Sequence, residues 1–329
     1  MGATQMVDAV DQFVMESMPY FVAEQYKKVL EEDDVEKKIE AALRVYEIGL
    51  RTLSLTLVSQ YLTRDYDKLS EPALNQMLET KLPFTTLKVW KELFFLGLRA
   101  YGGHRDLLFV RELYDFYWDR SVNPSIPREN ITEPFDRLTD IRNNIKHGYA
   151  PQDTESWQLL CDETMALLKQ IMAGFGFFKN YEMIRVKKIE GNRYWFENHT
   201  GSEITEIVDP IETNRKLGRN WFYLAKDRSD FLKMHPLLIA WEDVTKRFDI
   251  AVYDRLSSDE QIVQYQATLA WQKILDDTNF FEFFEMLYTT IEFKRGREKY
   301  RKLTWYKLIE LADNITNQKM PAVRGKYRR

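Results

Sequence analysis

The chain has 329 residues, a formal net charge of −4 and a 44% share of hydrophobic residues. This composition supports a substantial buried core and excludes a disordered chain, and the negative charge argues against a general attraction to nucleic acid or membranes. A single cysteine, Cys161, excludes an internal disulfide and a multi-cysteine metal cluster. Metal or histidine chemistry would have to draw on four histidines: His104, His147, His199 and His235.

The N-terminus has none of the features of a targeting segment. Residues 1–13 carry acids where a signal peptide carries bases, and no apolar core follows them. The longest apolar run, near residues 93–98, is too short to span a bilayer. We therefore expect a cytoplasmic protein without a membrane partner.

Helical periodicity dominates the first 180 residues. Asp33 and Asp34 place acids at the start of a long helix, whose apolar side chains recur at three- and four-residue intervals. Gly148 is suited to end a helix that runs toward His147, because glycine is favoured just past a helix C-terminus. The helical patterns after the first long helix cover residues 71–80, 85–100, 106–120, 132–147 and 153–179.

The pattern changes after residue 180. Two strand-like runs flank the pair Gly191-Asn192 and predict a β-hairpin, and further short strand candidates follow it. Alternation such as Tyr194–Phe196 favours core packing of the aromatic side chains over an exposed recognition surface. Helical periodicity returns over 258–315. We therefore predict a mainly α fold with three parts: a helical domain over 1–180, a β-rich module over 181–257, and a helical C-terminal region with a basic tail over 258–329.

Several common catalytic motifs are absent from the sequence. It has no Gly-x-x-x-x-Gly-Lys phosphate loop, no Gly-x-Ser-x-Gly nucleophile elbow and no closely spaced histidine pair for zinc. Cys161 lies in the apolar pattern LLCDETMALL, which favours a small buried side chain over a nucleophile. The sequence therefore predicts neither a metal site nor a cofactor.

One segment, LTDIRNNIKHGYA at residues 138–150, carries a recognisable combination of residues. It resembles the signature of the HEPN superfamily (higher eukaryote and prokaryote nucleotide-binding), an all-helical family in which many members are metal-independent ribonucleases. The family motif is an arginine, usually followed by a polar residue, and then a histidine four to six residues on. Arg142, Asn143 and His147 match that pattern, and residues 1–180 are accordingly identified as a HEPN-like domain.

Spacing alone does not select His147. Every histidine follows an arginine at a similar interval, in the pairs Arg99–His104, Arg142–His147, Arg193–His199 and Arg228–His235. Only Arg142 is followed directly by a polar Asn within a helical apolar pattern that ends in glycine. The alternative is ordinary helix chemistry, with Arg142 on the surface, Asn143 as a cap and His147 as a cation at the helix C-terminus.

Helix geometry limits what one chain can do. Five residues at about 100° each rotate a helix by about 140° net, so Arg142 and His147 do not share one face. The resemblance implies that two protomers dock these helices about a two-fold axis and form composite clefts. It implies a metal-independent endoribonuclease in which His147 exchanges protons, Arg142 holds the phosphate, and Asn143 orients Arg142 or His147 or bonds the phosphate. Lys146 is expected beside a phosphate of the RNA because of its position inside the motif.

Tyr149 adds a possible point of control. The HGY order resembles the version of the motif found in HEPN toxins, where a partner nucleotidyltransferase adenylylates the tyrosine. The resemblance therefore implies a bacterial defence or toxin–antitoxin setting, with an antitoxin or nucleotidyltransferase as partner. The alternative for Tyr149 is a packing or hydrogen-bonding role.

Two basic stretches could add RNA contacts. Residues 293–302 interleave lysine and arginine with Tyr300, and residues 324–329 form a basic tail. The alternative is a solvated helix face followed by a disordered end. For the whole protein, the alternative to an RNase is a non-catalytic HEPN dimerisation or adaptor protein that binds a partner protein or a nucleotide signal.

Overall fold

The structure is a computed structural model. It describes residues 8–69, 71–82, 85–119, 121, 126–242, 248–256, 263–269 and 273–276. The α-helices of these residues are α1 (Ala9–Ser17), α2 (Tyr20–Glu31), α3 (Val35–Gln60), α4 (Tyr66–Leu69), α5 (Pro72–Thr80), α6 (Leu87–Ala100), α7 (Glu112–Tyr117), α8 (Glu133–Lys146) and α9 (Thr154–Gly174). A π-helical turn at Tyr61–Asp65 and 3₁₀ turns at Arg105–Leu107 and Gly176–Asn180 complete the helical region.

Antiparallel strands follow the helices. After the short pair β1 (Trp118–Asp119) and β2 (Ile126–Pro127), the strands are β3 (Glu182–Glu190), β4 (Arg193–Asn198), β5 (Thr205–Glu206), β6 (Ile211–Glu212), β7 (Phe222–Lys226), β8 (Asp230–Lys233), β9 (Leu238–Glu242), β10 (Phe248–Leu256), β11 (Val263–Ala267) and β12 (Lys273–Asp276). The first large sheet has the order β5-β4-β3-β7-β8 with β6 also paired to β4, and the second has the order β12-β11-β10-β9. The predicted helical region followed by a β-rich region is confirmed.

Helix α3 is the central element of the helical region. The Asp34 carboxylate accepts a hydrogen bond from the backbone N–H of Lys37 at 3.0 Å and caps the helix. Every residue from 45 to 60 is buried, because α2, α6, α8, α9, β8 and β10 all contact this helix. The long helix predicted to start at Asp33 and Asp34 is confirmed.

The hairpin predicted around Gly191-Asn192 is confirmed. Strands β3 and β4 pair antiparallel, and Gly191 has φ 62°, a left-handed conformation that glycine adopts without steric cost. Tyr194 and Phe196 are buried in a small cluster on one face of the first sheet, as their alternation predicted. The other face of this sheet contributes to the main core, so both faces are covered.

The C-terminal part differs from the prediction where the structure describes it. Strands β11 and β12 occupy residues 263–267 and 273–276, where helical periodicity had predicted helix. The sequence VQYQA alternates apolar and polar side chains with a period of two, and Tyr265 and Ala267 are buried beside β10. The chain is therefore mixed α and β rather than mainly α. The basic stretches at 293–302 and 324–329 lie outside the described residues.

One hydrophobic cluster runs from the helices into both sheets. It joins side chains of α3, α6 and α9 to apolar residues of β7, β8, β9 and β10. Cys161 is buried at 4% exposure, as its apolar surroundings predicted. The division into 1–180, 181–257 and 258–329 stays a prediction. In the described part of the chain, no helix combines the length and the apolar character needed to cross a membrane.

Candidate active site

The RNNIKHGY segment forms the C-terminal end of α8. Gly148 has φ 82°, its N–H donates to the carbonyl of Ile145 at 3.1 Å, and the N–H of Tyr149 donates to the carbonyl of Asn144 at 2.9 Å. These two bonds and the left-handed glycine form a Schellman motif, which satisfies carbonyls that the helix would otherwise leave open. The prediction that Gly148 ends this helix is confirmed, and His147 is the C-terminal cap residue.

The inner face of α8 is anchored on α3. Phe135, Leu138 and Ile141 are buried, and the Tyr46 hydroxyl donates to the carbonyl of Phe135 at 2.9 Å. The same hydroxyl lies 2.9 Å from the Thr139 hydroxyl. Burial raises the pKa of the Tyr46 phenol, so it stays a neutral hydrogen-bonding group. This packing fixes the direction in which each remaining side chain of α8 points.

The Arg142 guanidinium is held against α3. Its Nη2 lies 3.5 Å from Glu47 Oε2, and its Nη1 donates to Asn143 Oδ1 at 3.3 Å. About a quarter of the Arg142 side chain is exposed, whereas Glu47 is 7% exposed. The structure therefore brings the predicted site residues Arg142 and Asn143 into contact. It also places Glu47, which the motif did not identify, beside Arg142.

Glu47 belongs to a longer series of buried charges. Its Oε1 accepts from Arg51 Nη2 at 2.5 Å, and Arg51 Nη1 lies 3.1 Å from Asp254 Oδ1 on β10. Glu47 and Arg51 are each 7% exposed, and Asp254 is 3% exposed. The sequence contained a signal for this pair, since a Glu and an Arg four residues apart interrupt an otherwise apolar run in α3.

His147, Lys146 and Tyr149 all lie on the exposed end of α8. The His147 imidazole makes no hydrogen bond to any residue that the structure describes, and Tyr149 is 77% exposed. No hydrogen bond joins Arg142 to His147, in keeping with the rotation of about 140° between them. Within one chain, the structure does not assemble the predicted Arg–His pair into a single cleft.

Asn144 lies on the same exposed face of α8 as His147. Asp140, Asn144 and His147 are exposed at intervals of four and three residues, which places them on one stripe of the helix. Arg137, on the same stripe, donates to both carboxylate oxygens of Glu163 on α9, at 2.6 and 2.9 Å. Asn144 is thus a polar neighbour of His147 that sequence reasoning overlooked in favour of Asn143.

The other three histidines have different surroundings. His199 is fully buried, His235 is 7% exposed and stacks on Trp221, and His104 is exposed beside a 3₁₀ turn. Burial, the largest cause, lowers the pKa of the His199 imidazole. Only His104 and His147 are therefore open to solvent, and only His147 ends a regular α-helix.

A cleft of about 570 Å³ lies elsewhere on the surface. It is lined by residues 179–182 and 225–228, next to the C-terminal end of α9. Since α8 connects to the other end of α9, and a helix of 21 residues spans about 30 Å, this cleft is remote from His147. It contains none of the predicted site residues. Among the described residues, no three His, Cys, Asp or Glu side chains are grouped in a way that could hold a metal ion.

Comparison with known proteins gave no match: no family model, no curated protein and no solved structure corresponds to this chain. The residues at the end of α8 and their surroundings are therefore the features of the molecule that point to a function.

Proposed function

We propose that this protein is a metal-independent endoribonuclease of the HEPN type that acts as a homodimer. The observation that carries the proposal is the arrangement at the end of α8. The exposed histidine there makes no hydrogen bond to any residue in the described part of the chain, and the motif arginine is held about one and a half turns earlier. Exposure leaves the imidazole free to meet a substrate, and histidine is the side chain most often used for general acid–base catalysis near neutral pH.

The proposed reaction uses the nucleophile that RNA itself carries. His147 takes the proton of a 2′-OH, the 2′ oxygen bonds to the adjacent phosphorus, and the bond from phosphorus to the 5′ oxygen breaks. The partner's His147 protonates that leaving oxygen. The products are a 2′,3′-cyclic phosphate and a 5′-OH. Arg142, as a planar cation, stabilises the charge on the pentacoordinate phosphorus, and Lys146 contacts a neighbouring phosphate.

The separation of Arg142 from His147 supports a dimeric site. A two-fold axis beside α8 would place the exposed stripe of one chain opposite the same stripe of its partner, so each phosphate meets groups from both. Asn143 orients Arg142, since its Oδ1 already accepts a hydrogen bond from Arg142 Nη1 at 3.3 Å. We propose a bacterial defence or toxin–antitoxin setting for this activity.

Tyr149 is the proposed point of inhibition. Its 77% exposure leaves the phenol accessible to a modifying partner, and an added AMP would bring negative charge and bulk beside the phosphate site. Co-expression with a nucleotidyltransferase partner is expected to add the mass of one or more AMP groups to Tyr149. A neutralised complex in which Tyr149 is unmodified would contradict this mode of control.

One observation favours the non-catalytic alternative. Arg142 already faces the Glu47 carboxylate, which partly neutralises the positive charge that would bind a phosphate. In that reading α8 is a dimerisation surface of an adaptor that binds a partner protein or nucleotide signal.

Cleavage of total RNA in the presence of EDTA separates the two functions. We expect the wild type to cleave and His147→Ala to lose at least about 100-fold in rate, the lower end for loss of a general acid or base. His104→Ala is the matched control, because His104 is also exposed but lies outside the motif. Equal cleavage by wild type and His147→Ala would overturn the assignment, and a stable dimer without any cleavage would support the adaptor.

Arg142→Ala is expected to abolish cleavage while leaving the dimer intact. The dimer is checked by light scattering at the concentration used for the cleavage assay. Loss of both cleavage and dimer would assign Arg142 to assembly rather than to the phosphate.

A further inference from the structure

We propose that the second sheet positions the motif arginine through a buried series of charges, in which Asp254 determines how firmly Glu47 holds Arg142. This inference rests on the proposed function only in that Arg142 is the phosphate-binding group. Asp254, Arg51 and Glu47 are positioning residues, since none of them is exposed enough to touch RNA.

The geometry gives one carboxylate two competing partners. Glu47 uses Oε1 for Arg51 at 2.5 Å and Oε2 for Arg142 at 3.5 Å. The short contact belongs to Arg51, and Arg142 has the longer and weaker one. Any change that strengthens the pair of Glu47 and Arg51 therefore weakens the contact between Glu47 and Arg142.

The competition for Arg51 sets the direction. Asp254 attracts the Arg51 guanidinium at 3.1 Å and so opposes its pairing with Glu47, which leaves more of the Glu47 charge to attract Arg142. Without the charge of Asp254, Arg51 pairs more strongly with Glu47, and the attraction between Glu47 and Arg142 falls.

Arg51 is well placed to shift between its two acids. Its Nε and Nη1 are buried and make no aligned hydrogen bond within the described residues, although Nη1 lies 3.1 Å from Asp254 Oδ1. Asp254 thus attracts Arg51 by charge rather than through a well-directed bond. Such an attraction weakens gradually as the distance grows, whereas a directed bond would hold or break.

Strand β10 ties Asp254 to the helical region. The Thr85 hydroxyl donates to the backbone carbonyl of Asp254, and the Tyr253 hydroxyl donates to the carbonyl of Leu82 at 2.9 Å. Leu82 and Thr85 lie between α5 and α6, so the strand is fixed to the layer that packs on α3. A ligand or partner that displaces the second sheet would move Asp254 relative to Arg51.

The test follows the Arg142 side chain directly, without RNA. In protein carrying ¹⁵N-arginine, the Arg142 Nε–H signal is assigned by its loss in Arg142→Lys, and its exchange with water is measured. We expect Asp254→Asn to speed that exchange about two- to fivefold, the range for losing a partly exposed ion pair. The double variant Arg51→Met with Asp254→Asn leaves Glu47 to Arg142 alone, and exchange is expected to fall below that of wild type.

Asp249→Asn is the matched control. Asp249 is also a buried carboxylate on β10, at 3% exposure, but its side chain accepts from Thr268 and Leu269. If Asp249→Asn and Asp254→Asn change the Arg142 signal equally, the effect is a general loosening of the strand and the proposal is overturned. Should Asp254→Asn fail to fold, the neutral double variant decides, and an unchanged signal there rejects the proposal.

Failure of the proposed function is distinguishable from failure of this inference. If the wild type does not cleave RNA while the Arg142 signal responds as expected, the series of charges positions Arg142 for some other task. If the wild type cleaves RNA and the signal does not respond, Arg142 acts without help from the second sheet.

Discussion

The end of α8 and the junction between α1, α2 and the first sheet each contain a histidine that follows an arginine, yet their surroundings are opposite. His147 is exposed and without a hydrogen-bond partner in the described part of the chain. His199 is fully buried between the rings of Tyr20, Phe222 and Phe248. Burial, and not spacing from an arginine, therefore separates a histidine available for proton transfer from one that is part of the core.

The exposed motif at the end of α8 also depends on buried groups, because Arg142 contacts the buried pair of Glu47 and Arg51. We expect Glu47→Ala to lower the free energy of unfolding by about 3–5 kcal/mol, since it leaves the buried Arg51 without its closest acid. Urea denaturation at pH 7 measures the change. Glu40→Ala is the control, because Glu40 faces Arg44 at the same spacing on α3 but is 61% exposed. Loss of an exposed ion pair is not expected to change the free energy of unfolding by that much. Equal losses in Glu47→Ala and Glu40→Ala would show that burial does not determine the contribution of the pair.

Truncation should lower the free energy of unfolding much more at His199 than at His147. We expect His199→Ala to cost about 3 kcal/mol of unfolding free energy, because it leaves a cavity among three aromatic rings. His147→Ala should stay within about 0.5 kcal/mol, as is usual for an exposed position. Urea denaturation of both variants makes the test. A large stability loss in His147→Ala would mean that α8 needs this side chain structurally, and any loss of activity would need another explanation.

The pH dependence of stability should report His199. Burial lowers its pKa below the ordinary value of 6.5, so under acidic conditions the unfolded chain binds a proton that the folded chain refuses. Stability is therefore full above pH 6.5 and falls as the pH drops below it, by up to about 1.4 kcal/mol per pH unit. The groups facing the imidazole are Glu197, at 3.4 Å, and Arg185.

Unfolding free energies between pH 5 and pH 7.5 check this slope, a window that begins above the ordinary carboxylate range. His199→Gln is expected to flatten the profile, because it removes the titrating ring. His147→Ala is expected to keep the wild-type profile, since His147 is exposed and lies apart from the aromatic rings that bury His199. An identical slope in wild type and His199→Gln would assign the effect to other groups.

The smallest expected effect concerns the turn that ends α8. Gly148→Ala should cost about 1 kcal/mol, because φ 82° is unfavourable for alanine although no atom lies within 4 Å of the added Cβ. Gly176→Ala is the control, since Gly176 also has open space and has no left-handed φ. Urea denaturation compares the two variants. Equal costs would mean that the left-handed turn does not limit the position of His147.

Local patterns predicted the elements well where neighbours in sequence determine them. The start of α3 after Asp34, the end of α8 at Gly148 and the hairpin at Gly191 depend on capping and turn preferences within a few residues. Strand β11 (Val263–Ala267) differs from the prediction although its residues alternate clearly, because this short alternating run lies within the helical periodicity of residues 258–315.

Local sequence is enough to identify His147 as the histidine that ends a helix, because the polar Asn143, the apolar spacing and Gly148 all act within two turns of α8. The contact between Glu47 and Arg142, which are 95 residues apart, and the position of Asp254 of β10 beside Arg51 depend on the packing of distant elements. In the sequence, Glu47 and Arg51 are a pair at i and i+4 in a largely apolar stretch, and their spacing indicates that they meet each other but not that Arg142 and Asp254 lie beside them. Burial by the surrounding helices and the second sheet turns that pair into a support for the motif, and burial depends on contacts that periodicity along the chain does not encode.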